Sequence, residues 1–209
     1  MNMKRYLLLL SILTIVVSNP VGAQISVRAG YLRTQATSEL KKVSGDGFYA
    51  GLSYRVPLAG TFSLIPGLYF TRIKGQEGEF ILSSFKAESE FYVEKALVAP
   101  LNLQWGIDLP SDIRAFLYAG PAFQYGLQCL SPSGISNKPR DLYSEKDLGS
   151  TRQRWNVLVG GGAGISFPIG STHRIYLEAG WDYGLMNLYV DPSYKSQRSL
   201  WKAGVGIEL

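Results

Sequence analysis

The chain predicts an all-β fold, an eight-stranded antiparallel up-and-down transmembrane β-barrel. Three observations carry that expectation. Eight segments alternate apolar and polar residues with a period of two, the pattern of strands with two contrasting faces. Their connections run long, short, long, short, long, short, long, which puts three short turns at one end and four long loops at the other. Within the strands the charges share the polar parity, as Arg174, Glu178 and Asp182 do in the seventh. A cation facing lipid at mid-bilayer costs roughly 2–4 kcal/mol, so the charged face belongs to the lumen and the apolar face to lipid.

The segment before the first strand is of a different kind. Met1 to Ala23 opens with Lys4 and Arg5, continues as an apolar run from Tyr6 to Val17 and ends in Val21-Gly22-Ala23. This has the form of a secretory signal peptide cleaved after Ala23; the run falls short of the ~20 residues a spanning helix needs. Its removal takes two cations with it and lowers the formal charge from +5 to +3. A charge that small gives nucleic-acid binding no support. The remaining residues, 24–209, form one expected barrel domain, with no linker or shift in composition to divide it. Twenty-three Gly, thirteen Tyr and four Trp against only 18% charged residues suit a two-faced β chain. The single cysteine, Cys129, excludes an internal disulfide and is read as an incidental loop thiol.

Each strand follows from its own alternation. Ile25 to Arg33 sets Ile25, Val27, Ala29 and Tyr31 against Arg28 and Gly30, and a largely polar segment of thirteen residues, Thr34 to Asp46, is expected to form a loop. Gly47 to Val56 sets Phe48, Leu52 and Tyr54 against Tyr49, Ser53 and Arg55, with a short turn over Pro57 to Gly60. Thr61 to Ile73 sets Phe62, Leu64, Leu68 and Phe70 against Ser63, Tyr69 and Thr71, followed by a charged connection to Ser89. Glu90 to Gly106 carries Leu97, Leu101, Leu103 and Trp105 opposite Glu94, Asn102 and Gln104, and Leu109 to Asp112 turns the chain. Ile113 to Leu127 sets Leu117, Phe123 and Tyr125 against Arg114, Tyr118 and Gln124; the longest connection, Gln128 to Arg152, is mixed in charge. Gln153 to Phe167 sets Trp155, Val157 and Ile165 against Arg154, Asn156 and three glycines. His173 to Leu185 sets Ile175, Leu177 and Trp181 against Arg174, Glu178 and Asp182. Leu200 to Leu209 places Trp201, Val205 and Ile207 outward and Lys202, Gly204, Gly206 and Glu208 inward. Outward aromatics gather near both strand ends, as interfacial belts require. Arg33 and Lys95 break the outward pattern near the long-loop end, where long cations snorkel.

Lys202 to Leu209, with Lys202, Gly204, Ile207 and Leu209 at its key positions, resembles the C-terminal signal read by the assembly machinery of bacterial outer-membrane barrels, with Leu where many carry Phe. Ser63-Leu64-Ile65-Pro66-Gly67-Leu68-Tyr69 followed by Lys74-Gly75 resembles the third strand of the PorT-like outer-membrane proteins of Bacteroidetes. Leu97-Val98-Ala99-Pro100-Leu101-Asn102-Leu103 resembles their fourth, with Val98 where that family carries Glu. These resemblances imply an outer-membrane location, the surrounding lipid and the barrel-assembly machinery as partners, and a role in protein secretion for some members. The overall plan is similar to that of OmpX-like small barrels.

The function expected from the residues is that of a non-enzymatic barrel presenting four extracellular loops in a surface-interaction or envelope role, to a partner not identified by the sequence; the alternatives are a component of a protein-secretion apparatus, as the PorT-like resemblance implies, or a narrow channel. An interior only wide enough for side chains is expected to hold a charge network of Arg28, Arg55, Glu94, Arg114, Arg154, Glu178, Asp182 and Lys202, with Glu178 and Asp182 accepting cations such as Arg154 and Lys202 from the neighbouring strands. A charged interior argues against the apolar cavity of a lipocalin-type soluble barrel. The only histidine, His173, falls at a short turn, away from the loops, so nucleophile and base have no shared site there. No cofactor or metal is expected.

Overall fold

The computed structural model describes residues 24–37, 41–80, 87–132, 143–145, 152–170, 172–188, 190 and 196–209. The expected signal peptide, Met1 to Ala23, lies outside the described residues, as does much of the longest loop. Among these residues nine strands are formed: β1 (Gln24–Thr37), β2 (Lys41–Pro57), β3 (Phe62–Phe80), β4 (Ala87–Asp108), β5 (Arg114–Pro132), β6 (Tyr143–Glu145), β7 (Trp155–Ile169), β8 (His173–Gly184) and β9 (Gln197–Glu208). All pairings are antiparallel between neighbours in sequence, apart from β5–β7, which skips the short β6, and the closure of β1 on β9. Eight strands thus make a closed up-and-down barrel with no free edge, which is what a sheet must do if lipid is to surround it. β6 lies outside the ring and pairs only with the end of β5, Leu130 to Pro132.

The closing seam shows how the sequence pattern is realised. β1 and β9 pair from Ser26↔Glu208 to Thr37↔Gln197, so Arg28 faces Gly206 and Gly30 faces Gly204, all inward. Outward positions are exposed as a continuous apolar band: Leu52, Leu68, Leu117, Phe123 and Leu177 each show more than half their surface. Exposure on that scale in a hydrophobic row is intelligible only against lipid. The inward glycines have a specific task. A Cβ on Gly204 would collide with the Tyr49 hydroxyl, and one on Gly206 with the Tyr176 ring, so these positions are bare because a large inward side chain from another strand lies over them.

The strands are longer than the hydropathy pattern indicates. The segment Thr34 to Asp46, expected as a loop, is nearly all ladder, with Thr34↔Gly45 and Ala36↔Val43 in register. The connection after Lys74 likewise continues as β3–β4 pairs out to Phe80↔Ala87. Backbone pairing does not require apolar side chains, so a hairpin that leaves the bilayer keeps its hydrogen bonds while losing its hydropathy signal. A bulge causes a second departure. β4 and β5 pair as Ala96↔Gly126 and then Lys95↔Gln128, an extra residue that reverses the parity of β5. Cys129, read as a loop thiol, is therefore a strand residue that points inward and is 1% exposed. The short turns are compact: Gly60 and Gly170 have positive φ, and Ser111 and Asp112 adopt the left-handed region in the β4–β5 turn.

Candidate functional site

The lumen is the site, and it is filled in layers. Nearest the short turns, Arg55 lies 3.8 Å from Glu208 and its Nε donates to Ser63 Oγ at 3.2 Å. Arg114 stands 3.9 Å from Asp108, which is largely exposed at the rim. Arg174 donates to Ser166 Oγ and to the Asp112 carbonyl. One step further in, Arg28 donates to Glu178 at 3.0 Å and to Ser53 Oγ at 2.8 Å. The Tyr49 hydroxyl donates to the other Glu178 oxygen at 3.0 Å. The Arg28 guanidinium stands 5.5 and 5.2 Å from the Tyr69 and Tyr176 ring centroids, so its faces are shielded as well as its edges. Lys202 meets Asp182 at 2.7 Å, a contact made by neighbouring strands on adjacent inward rows.

Above Lys202 the character changes. Leu32, Val43, Ile73, Val98, Leu158 and Leu200 all point inward and are almost fully buried. The charged interior expected from the sequence is therefore interrupted by an apolar layer. Val98 and Leu158 are flanked by apolar outward residues, which removes the alternation that would reveal them, whereas Ile73 stands between the outward Arg72 and Lys74. Above that layer Glu94 is clamped by two arginines. Arg198 makes a two-pronged contact at 2.6 Å to each carboxylate oxygen, Arg152 approaches at 3.3 Å, and Gln124 donates at 3.3 Å. The Arg152 guanidinium also covers the Tyr92 ring at 4.5 Å.

Of the residues expected in the charge network, Arg28, Arg55, Glu94, Arg114, Glu178, Asp182 and Lys202 line the lumen. Arg154 stands at its mouth: it is exposed, precedes β7, borders the cavity beside Glu94 and lies over the Tyr125 ring at 5.9 Å. Glu178 takes its cation from β1 instead, and Asp182 takes Lys202. Arg152 and Arg198 were not legible, because each sits beyond the apolar alternation of its strand. Of the residues expected to form an assembly signal, Lys202, Gly204 and Ile207 occupy β9, Lys202 and Gly204 inward, and Leu209 follows its end exposed.

Little space is left. Between the described residues the lumen retains cavities of about 20, 10 and 30 Å³, room for isolated waters. The largest lies in the apolar layer against Leu32, Ile73, Val98, Leu158 and Leu200. Among the described residues no group of three or more His, Cys, Asp or Glu side chains is placed to hold a metal ion. His173 is exposed at the first position of β8, next to a short turn.

The sequence of residues 18–190 matches the family described as outer membrane protein beta-barrel domain. The chain belongs to that family. Its members form outer-membrane barrels, and the closed architecture above is in keeping with that membership. No curated protein matches the chain. Among solved structures, Neisserial surface protein A is similar, with a TM-score of 0.55 at 17% identity over 90% of this chain and 99% of that one. OprG of Pseudomonas aeruginosa gives 0.49 at 11% identity over 90% and 96%. The Ail protein of Yersinia pestis gives 0.44 at 15% over 90% and 99%. The first of these supports the fold of this family member and nothing finer.

Proposed function

We propose that this family member is a plugged, non-enzymatic barrel that holds its polar hairpins and loops outside the outer membrane for contact with other surface or envelope components. The observation that carries this reading is the layered lumen: among the described residues, three sets of paired charges and one apolar layer surround water-sized gaps. A permeant solute has to break buried ion pairs, each costing several kcal/mol when one partner is left alone. The strand pairs β1–β2 and β3–β4 continue beyond the span of ~9–11 residues that a bilayer requires, which gives the long-loop end a rigid, polar platform. In this reading the first 23 residues direct export and are removed after Ala23, and Lys202 to Leu209 is recognised by the assembly machinery.

The matching experiment is planar-bilayer recording of the purified barrel. The wild type should show no large, stable, unselective openings, and Glu178→Ala combined with Asp182→Ala should raise leak. Frequent porin-sized openings by the wild type would overturn the plugged barrel. The resemblance of the third and fourth strands to the PorT-like proteins supports a more specific role, in an export apparatus; recovery of a defined envelope complex on affinity capture tests it.

A further inference from the structure

Charges on the lipid-facing parity are rare, and they are not scattered. Among the described side chains of the barrel strands they comprise Arg33 on β1, Asp46 on β2, Arg72 and Lys74 on β3, and Lys95 on β4. All five lie at the long-loop end of four consecutive strands, and none lies on β7, β8 or β9. The ladder fixes their spacing. Arg33 and Lys74 both pair with Asp46, from opposite sides, and Arg72 pairs directly with Lys95. With strands roughly 4.8 Å apart and alternate residues roughly 6.8 Å apart, the four cations fit within roughly 15 Å.

Their height is equally defined. Each cation lies one or two outward positions above an apolar residue: Arg33 above Tyr31, Arg72 above Phe70, Lys95 above Leu97. Phe48 and Phe70 are in contact there, with ring centroids 6.4 Å apart. The patch thus begins where the aromatic belt ends, at the level of lipid headgroups. Asp46, the one acid on the patch, accepts a hydrogen bond from the Tyr31 hydroxyl. No ion pair joins it to Arg33 or Lys74, and neither cation has an acid partner among the described residues. Lys95 Nζ is steadied by Gln128 Oε1 at 2.9 Å, which leaves two of its three donors for a ligand. Arg72 Nε is buried without a hydrogen-bond partner.

We infer that Arg33, Arg72, Lys74 and Lys95 form a binding site for the phosphate groups of the glycolipid in the outer leaflet. Four neighbouring cations with one acid repel one another unless an anion lies among them. Two guanidinium forks and two ammonium groups suit a headgroup with more than one phosphate. The acyl chains of the same lipid would lie against the apolar band below, including Phe48, Leu68 and Phe70. The site faces one side of the barrel, so a bound glycolipid would give the protein a fixed lipid neighbour. This inference rests on the outer-membrane orientation, with the long loops outside, but not on the plugged lumen.

The test equilibrates the detergent-solubilised barrel with bis-phosphorylated lipid A or with the same glycolipid stripped of phosphate, and counts bound lipid by native mass spectrometry. The phosphorylated form should bind about tenfold more tightly or better, as expected of several cations near an anionic surface. Arg72→Gln combined with Lys95→Gln should lose most of that preference, whereas Arg154→Gln should keep it. Equal retention of both lipids by the wild type, or an unchanged preference in the double variant, overturns the inference. So does displacement by millimolar inorganic phosphate, which would mark a general anion site. If the double variant does not fold, the wild-type comparison of the two lipids decides alone.

Discussion

Glu94 and Glu178 are both buried carboxylates inside the same barrel, yet they hold the molecule together differently. Glu178 takes Arg28 and the Tyr49 hydroxyl, groups that project from strand interiors within the membrane span. Glu94 takes Arg198 from the long-loop end of β9 and Arg152 from the segment leading into β7. The first carboxylate braces the wall against itself, and the second ties the bases of two long connections to β4. The order of the loop end should therefore depend on Glu94 more than on any residue of the middle layer.

The largest expected effect is that of Glu94→Ala. It leaves two guanidinium groups buried without their carboxylate, and breaking a buried pair in this way costs roughly 3–5 kcal/mol. Urea unfolding of the barrel in lipid should show that loss. Limited trypsin digestion of intact cells should also begin near Arg152 and Arg198. A fall in stability without new cleavage there would mean that Glu94 braces the wall as Glu178 does.

Glu178→Ala should cost somewhat less, about 2–4 kcal/mol, because Arg28 keeps Ser53 and its two tyrosine faces. Digestion at the loop end should be unchanged. Next comes Gly204→Val, which sets a branched side chain against the Tyr49 hydroxyl and thereby disturbs the group that also donates to Glu178. Overpacking of this kind costs about 1–3 kcal/mol. The same unfolding assay ranks the three, and a neutral Gly204→Val would show that Tyr49 can move aside freely.

The contrast between the two carboxylates also explains what could be read in the sequence. Arg28, Glu178, Asp182 and Lys202 stand inside uninterrupted alternation, where parity alone sends them to the lumen. The eight barrel strands and their inward and outward faces were legible for the same reason. Arg152 and Arg198 lie where alternation has ceased, and their partner is brought to them by the fold. Cys129 was misplaced because a bulge at Lys95/Ala96 shifts the parity of β5 by one residue, and no hydropathy pattern marks a bulge. Val98 and Leu158 escape a parity reading because their neighbours in the strand are apolar too, and Leu32 and Leu200 because they stand at the ends of their apolar alternation. Backbone pairing beyond the membrane was hidden in polar residues such as Thr34 and Ser44, which read as loop although they continue the ladder.

The smallest expected effect separates two arginines only two positions apart. Arg152 is 3% exposed, contacts Glu94 and covers Tyr92. Arg154 is exposed and meets Tyr125 through its ring face and, at 3.4 Å, its hydroxyl. Sequence parity favours Arg154 as the lumen residue, since it shares the inward row of Asn156 and the β7 glycines. The regular strand, however, begins only at Trp155, so parity has no hold on the residue before it. Arg154→Ala should therefore stay within roughly 0.5 kcal/mol of the wild type, as surface substitutions generally do. Arg152→Ala removes one of the two cations that neutralise Glu94, and its cost should be several times larger. Arg198 still holds both carboxylate oxygens, so that cost should remain below the loss from Glu94→Ala. Combining Arg152→Ala with Glu94→Gln should cost less than the sum of the two single changes, because the contact between these two residues is lost only once. The equivalent pairing of Arg154→Ala with Glu94→Gln should be additive. Non-additivity in that second pair would place Arg154 in the clamp and return the lumen to the arrangement that parity alone predicts.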